Sequence, residues 1–265
     1  MELQNIERPR VVYKYHSINS YFYNLLENGN VWFSHQNDLN DPFDCKYALS
    51  DKYLNELLID SCQGVLADLK RGNPLFNGIS DDKFKEIIMP ELKTNEWLNG
   101  FYNMLFGQGM GWNVCCFTTN PVNELMWAHY ANNNKGVCLE FDLSKSNELF
   151  EKLQPVTYDN TFPEIDSADD LITALLTKRK VWNYEEEWRI LSNVGGIKPF
   201  NKNSLIGIYF GFYVTESEID KVKKTMVASG YTECAFKQVN LRIKGVPFKQ
   251  MDQNQDFDFR NEITP

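Results

Sequence analysis

The stretch VWNYEEEWRIL, residues 181–191, decides how the chain is read. It is rich in the aromatic and β-branched residues that suit a pleated, half-buried strand. In a strand, side chains alternate between two faces. Tyr184, Glu186, Trp188 and Ile190 then share one face, and Glu185, Glu187 and Arg189 share the other. Neighbouring carboxylates repel, so the second face costs free energy unless a cation or a ligand meets it. The plain alternative is an exposed strand face with an internal Glu–Arg pair.

Outward from this stretch, strand and helix signals mix without a βαβ rhythm. VVYKY (11–15), NVWFS (30–34), WNVCCFT (112–118), GVCLEFD (136–142), SLIGIYFGFYV (204–214) and AFKQVNLRI (235–243) read as strands. In GVCLEFD, Val137, Leu139 and Phe141 alternate with Cys138, Glu140 and Asp142. A helix over 18–27 follows Ser17 or Asn19 and stops at Asn28-Gly29. Asn120 with Pro121 behind it predicts the start of a helix through ELMWAHYA. Thr215 and Glu218 form a capping box. The fold class expected is α+β, with a mixed, largely antiparallel central sheet. The chain reads as one domain over 1–265, with a helical insertion at about 45–112 and a flexible acidic tail from about 251.

Composition narrows the function classes. The 265 residues are 43% hydrophobic and 14% aromatic, enough for a large core and aromatic-walled pockets. The formal net charge of −9 gives no global attraction to nucleic acid. Six cysteines include no CxxC pair and only three histidines are present, so no metal cofactor is expected. Residues 1–12 lack the apolar core of a signal peptide, and no run of about 18 apolar residues occurs. A cytoplasmic protein with reduced thiols, not attached to a membrane, is the expectation.

Two further groups carry possible chemistry. NDLNDPFD places Asp38, Asp41 and Asp44 in one loop. Three carboxylates suit a hard cation, whereas Asn40 and Asp41 before Pro42 suit a turn that bonds its own backbone. WAHYANNNKG groups Trp127, His129, Tyr130 and Lys135. His129 reads either as a satisfied histidine on a helix or as a catalyst. No nucleophile elbow and no common Gly-rich phosphate loop is present.

YKYHS, VWFSHQNDLNDPFD, CCFTTNPVNELMWAHYANNNKGVCLEFD and KRKVWNYEEEWRI occur in that order. Together they resemble the bacterial family called domain of unknown function 2971, over roughly residues 11–215. That name implies no activity. A weaker resemblance is to the ADP-ribosyltransferase fold, which opens strand–helix–strand and carries a catalytic glutamate on a later strand. VVYKY, the helix over 18–27 and NVWFS match the opening, and YEEEWRI matches the late strand. The resemblance implies Glu187 as the catalytic glutamate, with Glu185 beside it. It implies Lys14 or Tyr15 as the first-strand residue, where the fold usually has His or Arg, and Ser34 on the second strand.

What this resemblance implies is NAD-dependent ADP-ribosyl transfer to a protein or nucleic-acid acceptor, in bacterial toxin or phage-defence systems. Trp127 and Tyr130 would sandwich the nicotinamide, His129 would belong to the same NAD site, and Lys14 or Arg189 would bind the pyrophosphate. Breaking the nicotinamide–ribose bond creates an oxocarbenium-like cation, which a fixed carboxylate favours over neutral ribose. Two other readings stay open. One is a non-catalytic module that recognises a nucleotide or partner. The other is a metal-dependent hydrolase using Asp38, Asp41, Asp44 and His129.

Overall fold

A computed structural model describes residues 7–106, 111–146, 148–240 and 257–258. In chain order the elements begin with β1 (Val11–His16), α1 (Ser20–Asn28), β2 (Asn30–His35), β3 (Ala48–Leu49) and α2 (Asp51–Gly72). Next come α3 (Asp81–Leu92), α4 (Asn95–Phe106), β4 (Asn113–Thr118), α5 (Glu124–Tyr130), β5 (Val137–Asp142) and α6 (Glu148–Glu151). Short pieces follow: β6 (Gln154–Pro155), β7 (Thr157–Tyr158), β8 (Glu164–Ile165), α7 (Asp170–Leu175) and β9 (Thr177–Lys178). The last are β10 (Glu187–Ser192), β11 (Gly196–Pro199), β12 (Leu205–Phe210), α8 (Glu216–Ala228), β13 (Ala235–Asn240) and β14 (Phe257–Asp258). The fold is α+β, and its main sheet is mixed and largely antiparallel.

The chain gathers into two compact units. The first holds residues 1–34, 113–156 and 181–265. Its sheet runs β11-β2-β4-β1-β5-β12-β13-β14 among the described residues, with β10 joined to β4 and β6 to β10. β1 pairs antiparallel with β5 along its whole length, and β10 does so with β4. β12 and β13 run parallel, with α8 between them in sequence.

Strand alternation gives this sheet two different faces. Val12, Cys115, Phe117, Val137, Leu139, Phe141, Ile190 and Phe210 turn to one side and form the main core. Helices α1 and α8 close it with Phe22, Leu25, Leu26, Val222 and Met226. Each such side chain contributes roughly 1.5–3 kcal/mol by leaving water. Asn19 caps α1 by accepting from Phe22 N at 3.0 Å, and Gly29 ends it in the left-handed region at φ 62°. Thr215 and Glu218 make the capping box of α8. Lys202 Nζ donates at 2.8 Å to Glu27 O and at 2.8 Å to Ser229 O, so one ammonium serves the C-terminal ends of both helices.

The other face carries Tyr15, Cys138, Tyr209 and Val239, packed against Met126, Trp127 and Ala131 of α5 and its end. This face is polar where the first is not, and the candidate site lies on it.

The second unit holds residues 35–112 and 157–180. Residues 45–112, read from the sequence as an insertion, contain α2, α3 and α4. Ser50 and Ser80 cap α2 and α3, and Leu58, Cys62 and Leu92 form a small core with Ile88 and Leu98. Two parallel two-residue ladders, β3 with β8 and β7 with β9, complete it. Among the described residues, no helix is long and apolar enough to cross a membrane. The expected tail from about 251 lies outside the described residues apart from β14.

Two local expectations are corrected. The strand read over 184–190 begins only at Glu187, because residues 180–185 form a 3-10 turn. The helix expected to start at Asn120 starts at Glu124, capped by Asn123, whose side chain accepts from Leu125 N and Met126 N. Asn120 instead closes a turn, accepting from Val122 N at 3.1 Å.

Candidate active site

Glu186 is the pivot of the three glutamates. Its φ is +44°, a left-handed conformation that a side chain other than Gly or Asn rarely adopts. Thr119 Oγ1 donates to Glu186 Oε2 at 2.9 Å, and Asn120 Nδ2 donates to Oε1 at 3.0 Å. Thr119 N donates to Glu186 O at 3.3 Å, and Asn123 Nδ2 to Tyr184 O at 3.2 Å. The Thr118 hydroxyl donates to Glu185 O. The end of β4 thus holds the backbone of residues 184–186, and the kink turns Glu185 inward although it lies outside the strand. Glu185 and Glu187 are both buried, at 2% and 4% exposure, while Glu186 is exposed.

Each buried carboxylate has a strong donor. Tyr130 OH donates to Glu185 Oε1 at 2.6 Å. Arg189 Nε donates to Glu187 Oε1 at 2.7 Å, and Nη2 to Oε2 at 3.1 Å, a two-pronged contact that suits the planar guanidinium. Arg189 is itself fully buried. Cys116 lies opposite Arg189 across the ladder. Burial first, and then the Glu187 charge, push its thiol well above its ordinary range, which keeps it protonated.

The register extends this site across the sheet. Glu187 faces Thr118, Thr118 faces Tyr13, Tyr13 faces Glu140, and Glu140 faces Gly207. Directly opposed residues share a face. A neighbouring row runs Tyr15, Cys138, Tyr209 and Lys237. Tyr13 OH and Tyr209 OH both donate to Glu140, at 3.3 and 3.2 Å. Lys237 Nζ stands 2.8 Å from Tyr209 OH and 3.9 Å from Glu140 Oε2. Burial and then the Glu140 charge raise both phenols above their ordinary value, so they act as donors.

The remaining candidates fall in different places. Tyr15 is buried on the same face as Tyr13, its hydroxyl donating to Asn120 O at 3.0 Å. Trp127 is fully buried, edge-on to Tyr15 at 5.1 Å, and its indole N–H donates to Pro121 O at 2.9 Å. His129 is exposed on α5, with the rings of Tyr130 and Trp182 at 6.1 and 6.3 Å. Ser34 is half-buried on β2, opposite in direction to Val31 and Phe33. Lys14 points to the other side of β1, with Val12. Its Nζ donates to Cys116 O at 3.0 Å and lies 5.2 Å from the Phe117 ring centre. The structure therefore joins Glu185, Glu187, Arg189, Tyr130 and Tyr15 on one face and leaves Lys14 on the opposite one.

Residues 126–190 match the family model described as protein of unknown function, DUF2971. The matched segment runs from α5 into β10 and contains Tyr130, Glu140, Glu185, Glu187 and Arg189. No curated protein and no solved structure matches the chain.

In the second unit, Asp41 Oδ1 accepts from Phe43 N at 2.9 Å, and Asp44 N donates to Asp41 O at 3.1 Å. Asp44 is buried and lies 3.5 Å from the Lys178 ammonium. Among the described residues, no group of three or more His, Cys, Asp or Glu side chains is arranged to hold a metal ion. Asp38, Asp41 and Asp44 form no such group among the described residues.

Glu140 was not singled out as a site residue from the sequence. Its signal was there: one carboxylate on a strand whose other face is Val137, Leu139 and Phe141. Tyr209 and Lys237 have no local signal, because only the register brings them to Glu140.

Proposed function

We propose that the chain transfers ADP-ribose from NAD to a macromolecular acceptor, with Glu187 and Glu185 at the reaction centre and an ADP-ribosyltransferase-like sheet beneath them. The observation that carries this reading is the pair of buried carboxylates at the start of β10, each held by its own donor. Burying two carboxylates costs several kcal/mol for each ion, about what a cationic transition state would offset. The glycosidic C–N bond breaks, nicotinamide leaves with the electron pair, and positive charge develops at the ribosyl carbon. Glu187 stabilises that charge. The acceptor's nucleophile forms the new bond to the same carbon and passes its proton to Glu185. In this reading the Glu187–Arg189 pair is the resting state, and Arg189 exchanges the carboxylate for the pyrophosphate.

A second reading is a non-catalytic module that recognises a nucleotide. The two-pronged Glu187–Arg189 contact favours it, since a neutralised carboxylate offers less to a cation. The position of Lys14 on the opposite face also favours it.

Nicotinamide release from NAD, with and without cell extract as a source of acceptor, separates the two. Glu187→Gln should bind NAD and lose about a hundredfold or more in rate. A wild type that binds NAD without releasing nicotinamide would establish the module. One that does neither would remove the transferase and leave a module for another nucleotide or partner.

A further inference from the structure

Three strands send a side chain to one carboxylate on a fourth. Glu140 comes from β5, Tyr13 from β1, Tyr209 from β12 and Lys237 from β13. Hydroxyl bonds to a charged carboxylate run about 2.5–2.7 Å when the oxygen is fully engaged. The Tyr130–Glu185 bond, at 2.6 Å, is such a bond. The three contacts to Glu140 are all longer, at 3.3, 3.2 and 3.9 Å. An ionised carboxylate offers about four acceptor positions, so Glu140 keeps capacity for donors brought by a ligand.

The carboxylate is not sealed from solvent. Glu140 and Lys237 keep side-chain exposures of 14% and 22%, and Tyr13 is half-buried. Gly207 stands opposite Glu140, and a Cβ there would fall 2.3 Å from Glu140 Oε2. Only glycine leaves the carboxylate in its present place. The rings of Tyr13 and Tyr209 meet edge to face, 6.1 Å apart, beside it.

We propose that Glu140 is a second ligand site, which takes the vicinal diol of a ribosyl group in a nucleotide. Two adjacent hydroxyls donate to one carboxylate, as ribose hydroxyls do to an acidic residue in dinucleotide-binding folds. Lys237 is placed to meet the nucleotide's phosphate. Three strand steps separate Glu187 from Glu140 along the shared row, roughly 14 Å at about 4.8 Å per step. If the transferase reading holds, the two carboxylates serve the two riboses of one dinucleotide. The diol site itself does not depend on that reading.

Calorimetric titration with adenosine monophosphate and with its 2′,3′-dideoxy analogue tests this on the full chain. The wild type should bind the first at least about tenfold more tightly than the second. Glu140→Gln keeps the shape and should lower the affinity for adenosine monophosphate to that of the dideoxy analogue. Equal affinity for the two ligands, no binding of adenosine monophosphate, or a preference that survives Glu140→Gln would overturn the proposal. The comparison of ligands on wild type decides the matter even if a variant fails to fold. Diol-dependent binding in a protein that releases no nicotinamide would keep this site and reject the transferase. Nicotinamide release without diol dependence would do the reverse.

Discussion

Arg189 and Glu187 grip each other from alternate positions of one strand, with both charges out of water. Such a pair is costly to assemble and costlier to halve, because the remaining partner is left as a buried charge. Arg189→Met should therefore lower stability by about 3–5 kcal/mol, and Glu187→Gln by a comparable amount, since it leaves the fully buried guanidinium without its counter-charge. Urea denaturation of the two variants measures this. Small losses would mean that water reaches the pair.

How much of this was legible follows from where each partner lies. The strands at 11–16, 30–35, 113–118 and 137–142 were readable because alternation is local, and one face of each is apolar. The start of α5 was misplaced because Asn120 and Pro121 look like a cap pair, yet Asn120 is engaged by Glu186, far along the chain. The kink at Glu186 had no local signal, since glutamate is not a residue that favours the left-handed region. Glu185 and Glu187 still reach one face, through the kink rather than through the period of a strand. The ligand-facing role read for Trp127 rested on residue type alone, and its neighbours Tyr15 and Pro121 make it a core side chain.

Asp41 tests the loop of acidic residues. Its Oδ1 holds Phe43 N, while Oδ2 has no hydrogen-bond partner among the described residues. Asp41→Ala removes the acceptor that holds the Phe43 N–H and should cost about 1 kcal/mol. Asp41→Asn keeps the acceptor and should cost less. Thermal melting with and without Mg²⁺, Mn²⁺ or Ca²⁺ checks the role: a cation that raises the midpoint of wild type alone would bring back a metal site.

His16 gives the protein an acid-side weakness. Burial lowers its imidazole below the ordinary 6.5, against the opposing effect of the bond to Ser17 O at 2.7 Å. Lys14 adds to the lowering. Just below 6.5 the unfolded chain takes up a proton there and the folded chain does not. Stability then falls as pH drops through that value, and the loss ends once the folded imidazole also protonates. Wild type should lose more stability than His16→Gln between about pH 7.5 and about pH 5. Urea midpoints at the two pH values provide the comparison, and parallel losses would show that His16 is not the group responsible.

Glu186 allows a sharper test, because two effects act on one residue with opposite signs for different replacements. Its left-handed backbone costs roughly 1–2 kcal/mol for any residue with a Cβ. Its carboxylate offsets part of that through Thr119 and Asn120. Ala at this position keeps the strain and loses both bonds. Gly loses both bonds and relieves the strain. Glu186→Gly should therefore be more stable than Glu186→Ala by about 1 kcal/mol, the reverse of the usual order at exposed positions. Gly also gives the unfolded chain more freedom, which keeps the difference near the lower end of that range. If denaturation finds Ala equal to or better than Gly, the kink is not strained in solution. The inward turn of Glu185 would then need another cause.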